Sequence, residues 1–211
     1  MLGLPKQTEI KKIIPKNAIF AKFSMNTAAK DKFNADIKQI TLVNELSKNT
    51  LTISEGDNVK SVYAMLVSLK KQDFDEKNII ILSKLIPQKM VFLLEYNDRY
   101  KIAIYHTKLM QTEWLPQDRA VIKLQGLNMD DIWENFIVQI GKITVAEGNT
   151  LDEQIAADEK RRKLAAEIER FEKKAYKEKQ PKRKLELAGQ IKKLKQELEL
   201  IGSANKLNGG N

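Results

Sequence analysis

A chain of 211 residues with 42% apolar and 31% charged side chains has room for one sizeable domain and an appendage, and its composition is that of a folded protein. It carries no cysteine and one histidine, which excludes disulfides, thiolate metal sites and a zinc site of several imidazoles. The net charge of +9 is unevenly placed: residues 160–195 hold fifteen Lys or Arg against five Glu, leaving the remainder close to neutral. Such a concentrated field attracts nucleic acid or an acidic protein surface.

The opening MLGLPKQTE has no apolar stretch resembling a signal peptide. No uncharged run reaches the roughly 18–20 residues that cross a bilayer, so a cytoplasmic protein without membrane contact is expected. Over the first forty residues the pattern predicts short helices, punctuated by Pro5 and Pro15, with Thr27 as a cap for a segment reaching Phe33. Strands are predicted at 37–43, 51–53 and 59–69, separated by the turn residues Ser47–Asn49 and Gly56-Asp57-Asn58. In the last of these, Val59, Tyr63, Met65, Val67 and Leu69 share one face.

Asp75 is placed to cap a helix whose stripe is Ile79, Leu82, Leu85 and Ile86, ended by Pro87. Residues 90–96 and 100–106 then form a hairpin about Asn97-Asp98-Arg99, and 107–114 reads as another strand, halted by Leu115-Pro116. Asn128 caps a helix carrying Ile132, Phe136, Ile137 and Ile140, with Trp133 on its flank and Gly141 or Gly148 at its end. The expected class is α+β: a mostly antiparallel or mixed sheet with helices on one face, covering residues 1–148.

Thr150 and Glu153 make a capping-box pattern that opens a second region, a helical hairpin over 149–201. Leu164, Ile168, Phe171 and Ala175 recur at helical spacing on its first arm; Leu187, Ile191, Leu194, Leu198 and Ile201 do so on its second. A mean step near 3.5 residues is the seam of an antiparallel hairpin or short coiled coil. Pro181, within KEKQPKRK, breaks the first arm. Residues 202–211, with three glycines and three asparagines, read as a flexible tail.

Candidate chemistry is sparse. His106 is the one histidine, but no Ser or Cys nucleophile lies in an elbow-like setting, and a lone histidine at a strand end reads as structural. Glu45, Glu95 and Glu113 fall on or near strands, yet none is followed at two residues by the lysine of a Glu-x-Lys nuclease pair. Neither glycine-rich phosphate loop occurs. No catalytic residue, metal ligand or cofactor is therefore assigned. Trp133 reads as core, whereas Trp114 is open between core packing and base stacking.

The best remaining candidate is the elbow, where Lys173, Lys174, Lys177, Lys179, Lys182, Arg183 and Lys184 gather. Two readings stand side by side: phosphate contacts to nucleic acid, or a solvated face that keeps the hairpin soluble. Tyr176, next to the seam, has two readings, one stacking contact or cover for the seam, and the second is expected. The stripe Leu187, Ile191, Leu194 and Leu198 is the candidate partner-binding surface.

Several segments resemble a bacterial family known only as a domain of unknown function: MLGLPKQTEIKKIIPK, LIPQKMVFLLEY, TEWLP, LQGLNMDDIWENFIVQI and DEKRRKLAAEIERFEKKAYKEKQPKRKLELAGQIKKLKQELE. They lie in order along nearly the whole chain. At the elbow QPKRKLELAGQ stands where the family pattern is closer to QFNRKVELNAQ, with Arg183, Glu186 and Leu187 matching. The resemblance implies genes beside helicases similar to type III restriction subunits and beside DNA methyltransferases, in phage-defence loci. It therefore implies an accessory role in a DNA-handling complex. With no catalytic motif in the chain, the expectation is a non-enzymatic accessory subunit whose partner is such a helicase or methyltransferase, its hairpin bridging to a second partner or to DNA. Two alternatives remain: a divergent metal-dependent nuclease, and a homo-oligomer in which hairpins pair into a four-helix bundle.

Overall fold

The computed structural model describes the backbone of residues 2–207 and the side chains of residues 2–201. It divides into two units, Met1–Lys142 and Ile143–Asn211, so the boundary falls slightly ahead of the expected residue 148. The first unit is α+β and the second contains the helical hairpin.

The first unit is built on a seven-stranded mixed sheet. Its strands are β1 (Glu9–Ile13), β2 (Ile37–Ser47), β3 (Ser61–Leu69), β4 (Lys89–Tyr96), β5 (Arg99–Tyr105) and β6 (Leu109–Gln111) in spatial order, with β7 (Leu115–Pro116) also pairing β5. Every pairing is antiparallel except β3–β4. That parallel pair requires a crossover, supplied by the segment carrying α3 (Lys77–Ser83). Asn97 and Asp98 form the β4–β5 turn with φ of 44° and 58°, the left-handed pair that a two-residue hairpin of matching twist requires.

The alternation of β3 sorts the sheet into two faces. Met65, Val67 and Leu69 join Ile40, Leu42, Phe92 and Leu94 in a core closed by α1 (Lys16–Lys22), α2 (Thr27–Asp36) and α3. Phe20 and Phe33 meet edge-on within it, ring centroids 5.5 Å apart. Val62, Val91, Leu93, Ile102 and Ile104 are buried on the opposite face, where α4 (Met129–Gly141) packs against β3, β5 and β6. Helices thus cover both faces, not the one expected. Two apolar faces on the same strands, seen in the unbroken run MVFLL, demand two covers.

Other departures have local causes. The segment 9–13 is an edge strand, not a helix: its exposed lysines hide the strand pattern because only one side pairs. Residues 51–53 form no strand; Leu51 is buried from a turn tied by Thr50 and Leu51 N–H groups donating to the Ser47 carbonyl. Asn26, not Thr27, caps α2, its side chain accepting from the Ala29 N–H at 2.9 Å. The strand expected over 107–114 shrinks to β6, and Lys142, at φ 50°, closes α4 in place of a glycine.

In the second unit, α5 (Leu151–Lys177) starts at the expected capping box and α6 (Pro181–Leu207) starts at Pro181. Proline at the first helical position loses nothing, since that N–H has no intrahelical acceptor. The backbone of α6 continues through residues 202–207, so the predicted tail is helical that far; residues 208–211 lie outside the described ones.

Candidate nucleic-acid interface

The hairpin arms pack on each other, and two ion pairs fix their antiparallel register: Lys160 Nζ to Glu197 Oε1 at 3.0 Å, and Lys195 Nζ to Glu172 Oε1 at 2.7 Å. Leu164 and Ile168 are buried on α5. Leu187, Ile191, Leu194 and Leu198 face this seam from α6 and are half-buried, so the stripe assigned to a partner is engaged by its own hairpin. Two helices alone cannot enclose a seam completely.

All seven predicted cations lie where the arms turn. Lys173, Lys174 and Lys177 are on the last two turns of α5, Lys179 is in the connection, and Lys182, Arg183 and Lys184 are on the first turn of α6. The α5 lysines suit a helix C-terminus, whose carbonyl dipoles favour positive charge. The α6 cations do not: they crowd a helix N-terminus with no acidic residue in its first turn. Their placement sums with the dipole to strengthen the positive potential instead of offsetting it.

Little of that charge is neutralised locally. Lys173 pairs with Glu169 at 2.6 Å, which holds the Glu169 carboxyl below its ordinary range. Lys174 lies 5.7 Å from the Phe171 ring centre. Lys177, Lys179, Lys182, Arg183 and Lys184 have no ion pair among the described residues. A groove of about 460 Å³ runs between the arms at this end, lined by Lys174, Lys177, Arg183, Glu186, Leu187 and Gln190 among others. Tyr176 does not cover the seam: it is 88% exposed.

The remaining candidates are held in structural roles. Glu95 accepts from Ser68 Oγ at 2.7 Å and from the Tyr100 hydroxyl at 3.0 Å. Burial, then this hydrogen bond, pushes the Tyr100 phenol up to about 12. Glu45 sits opposite Tyr63 on the Met65 face, whereas Glu95 sits opposite Ser68 on the other, so the two carboxylates cannot share one ion. Trp133 is 3% exposed, and Trp114 packs against the α1–α3 core with Lys101 5.2 Å from its ring centre. His106 lies in the turn after β5, its N–H donating to the Lys108 carbonyl.

Sequence reading assigns no role to Asp36 or Asp130. Buried Asp36 pairs with Lys71 at 2.8 Å and accepts from the Asp75 N–H and Asn78 Nδ2, both at 2.8 Å. Asp130 accepts from the backbone N–H groups of Asp57, Asn58 and Val59. Both are made by partners far apart in the chain, and only the loop signature Gly56-Asp57-Asn58 hints at one of them.

The family model described as a domain of unknown function, DUF4391, matches residues 2–198. The chain belongs to that family. Comparisons with curated proteins and with solved structures find no match. Among the described residues of this family member, no helix is long and apolar enough to cross a membrane.

Proposed function

We propose that this DUF4391 protein is a non-enzymatic accessory subunit of a bacterial defence-type, restriction-like system, acting in the cytoplasm. Its α+β unit docks on a helicase or methyltransferase subunit, and its hairpin elbow contacts nucleic acid. The observation that carries this reading is the elbow itself: cations from both arms, mostly without acidic partners, at a helix N-terminus that adds to their potential. Phosphates ask for reach and positive charge, and both are present. The family resemblance along the chain supplies the DNA-handling context.

The test is the salt dependence of binding to a labelled DNA by the full chain and by the triple variant Lys182→Glu, Arg183→Glu, Lys184→Glu. Each phosphate contact contributes about 0.9 to the log–log salt slope on duplex and about 0.7 on single strands. The variant should therefore lose about 2–3 from the slope and on the order of 100-fold in affinity near physiological salt. An unchanged isotherm across salt concentrations rejects the elbow as a phosphate-binding surface. Partner docking is tested separately, by whether the tagged full chain co-purifies with a helicase or methyltransferase from native cells.

A further inference from the structure

We propose that the elbow takes unpaired nucleobases, making its ligand single-stranded nucleic acid or the unpaired arm of a fork. The proposal rests on the nucleic-acid reading of the same tip and names the form it binds.

Tyr176 carries the argument. It lies in the last turn of α5, one turn from Lys173, with which it shares a helix surface, and beside Lys177 where the arms turn. At 88% exposure it contributes almost no area to the seam, which Phe171 and Ala175 serve instead. Among the described residues its ring has no stacking or cation–π partner and its hydroxyl has no hydrogen bond. The other aromatics singled out from the sequence are packed: Trp114 and Trp133 are set in the sheet unit with lysines over their rings. Leu185 on α6, 76% exposed beside Lys184, adds a second apolar side chain to the cationic end.

Charge alone suits any polyanion, but an exposed ring amid that charge discriminates. Along a duplex the bases are stacked inside and a protein ring beside the phosphates finds no face to meet. Unpaired bases present π-faces to an aromatic side chain while their phosphates meet lysines, the combination used by sequence-tolerant single-strand binders. Held on a helix, Tyr176 is already ordered, so little freedom is lost when a base stacks on it.

The experiment measures affinity of the full chain for labelled oligothymidylate, which has no pairing of its own, and for a blunt duplex. Proteins compared are wild type, Tyr176→Ala, Tyr176→Trp and the elbow triple variant. Tyr176→Ala should weaken oligothymidylate binding about 5- to 150-fold, the span of one base–aromatic stack, with its salt slope unchanged. Tyr176→Trp should retain or tighten binding, and duplex affinity should stay within about twofold for both, because no phosphate contact is removed. Oligothymidylate bound equally by wild type and Tyr176→Ala overturns the proposal while leaving the electrostatic reading intact. Equal losses on both ligands overturn it too, since they assign the ring to the shape of the tip. Absence of wild-type binding to either ligand removes both readings at once.

Discussion

The Asp130 carboxylate organises the loop between β2 and β3, and replacing it with alanine should destabilise the sheet unit by about 2–3 kcal/mol. Three backbone N–H groups converge on it: Asp57 at 2.8 Å, Asn58 at 3.2 Å and Val59 at 2.7 Å. A shielded hydrogen bond to a charged acceptor contributes about 1.5–3 kcal/mol, and summing three would overshoot. Asp57 and Asn58 are exposed, so water replaces the carboxylate at their amides; Val59 is 4% exposed, and its N–H is left without an acceptor. One full loss plus two discounted ones gives the stated range. At about 2–4 °C per kcal/mol for a chain of this size, Tm should fall by about 5–10 °C.

The pH dependence gives the sharper check. Desolvation alone would raise the Asp130 carboxyl, but the amides of Asn58, Val59 and Asp57 outweigh it and hold it below its ordinary value. A folded value depressed below the unfolded one contributes stability that is complete above the unfolded pKa and vanishes as pH falls through the folded one. The Tm gap between wild type and Asp130→Asn should therefore be full at pH 6 and shrink steadily below about pH 4. A gap that persists unchanged to pH 2.5, or no gap at neutral pH, refutes the reasoning.

Three further outcomes test the packing around these elements. A Cβ at Gly56 would overlap the Asp130 carboxylate and backbone, so Gly56→Ala should cost about 1–3 kcal/mol in urea unfolding and be non-additive with Asp130→Ala. Ile191→Asp should reduce far-UV helicity and open the hairpin at a cost of about 1–3 kcal/mol, below the 3–5 of a fully buried charge because the site is half-buried. Thr150→Ala removes the hydroxyl that accepts from the Glu153 N–H while leaving the residue-150 N–H on the Glu153 carboxylate, and should lower hairpin stability by about 1 kcal/mol, seen as a lower helical melting temperature.

Where structure follows from neighbours in sequence, the chain announces it. The Asn97-Asp98 turn, the Asn128 cap, the Thr150–Glu153 box and the Pro181 start each depend on residues within one turn. So does the cationic elbow, whose members are close in sequence and stay close in space. Sidedness is different. That α4 covers the face opposite α1–α3 depends on which strands lie where, and both faces of MVFLL read alike. Edge strand β1 is obscured because pairing on one side leaves lysines tolerable at most positions. Tyr176 misleads for a related reason: it adjoins the seam in sequence, but one residue is 100° of helical rotation, enough to carry it into solvent.

A carboxylate that performs chemistry needs a lone pair directed at a substrate, and four carboxylates of the sheet unit direct theirs at the fold instead. Asp36 is claimed by Lys71, Asn78 and a backbone amide, Glu95 by Ser68 and Tyr100, and Asp130 by three amides. Asp131 likewise takes the Leu127 N–H at 2.9 Å. These anions join strand to strand or loop to helix, and removing their partners would cost the fold directly. The elbow has the reverse character: Lys173 pairs with Glu169 on its own helix and Lys174 lies near Phe171, but the other five cations have no ion pair among the described residues. Polar groups turned inward fix a shape, whereas charge and an aromatic ring turned outward can meet a ligand without disturbing it. Nucleic-acid binding should accordingly respond to substitution at the elbow, whereas substitution at these four carboxylates should act through stability.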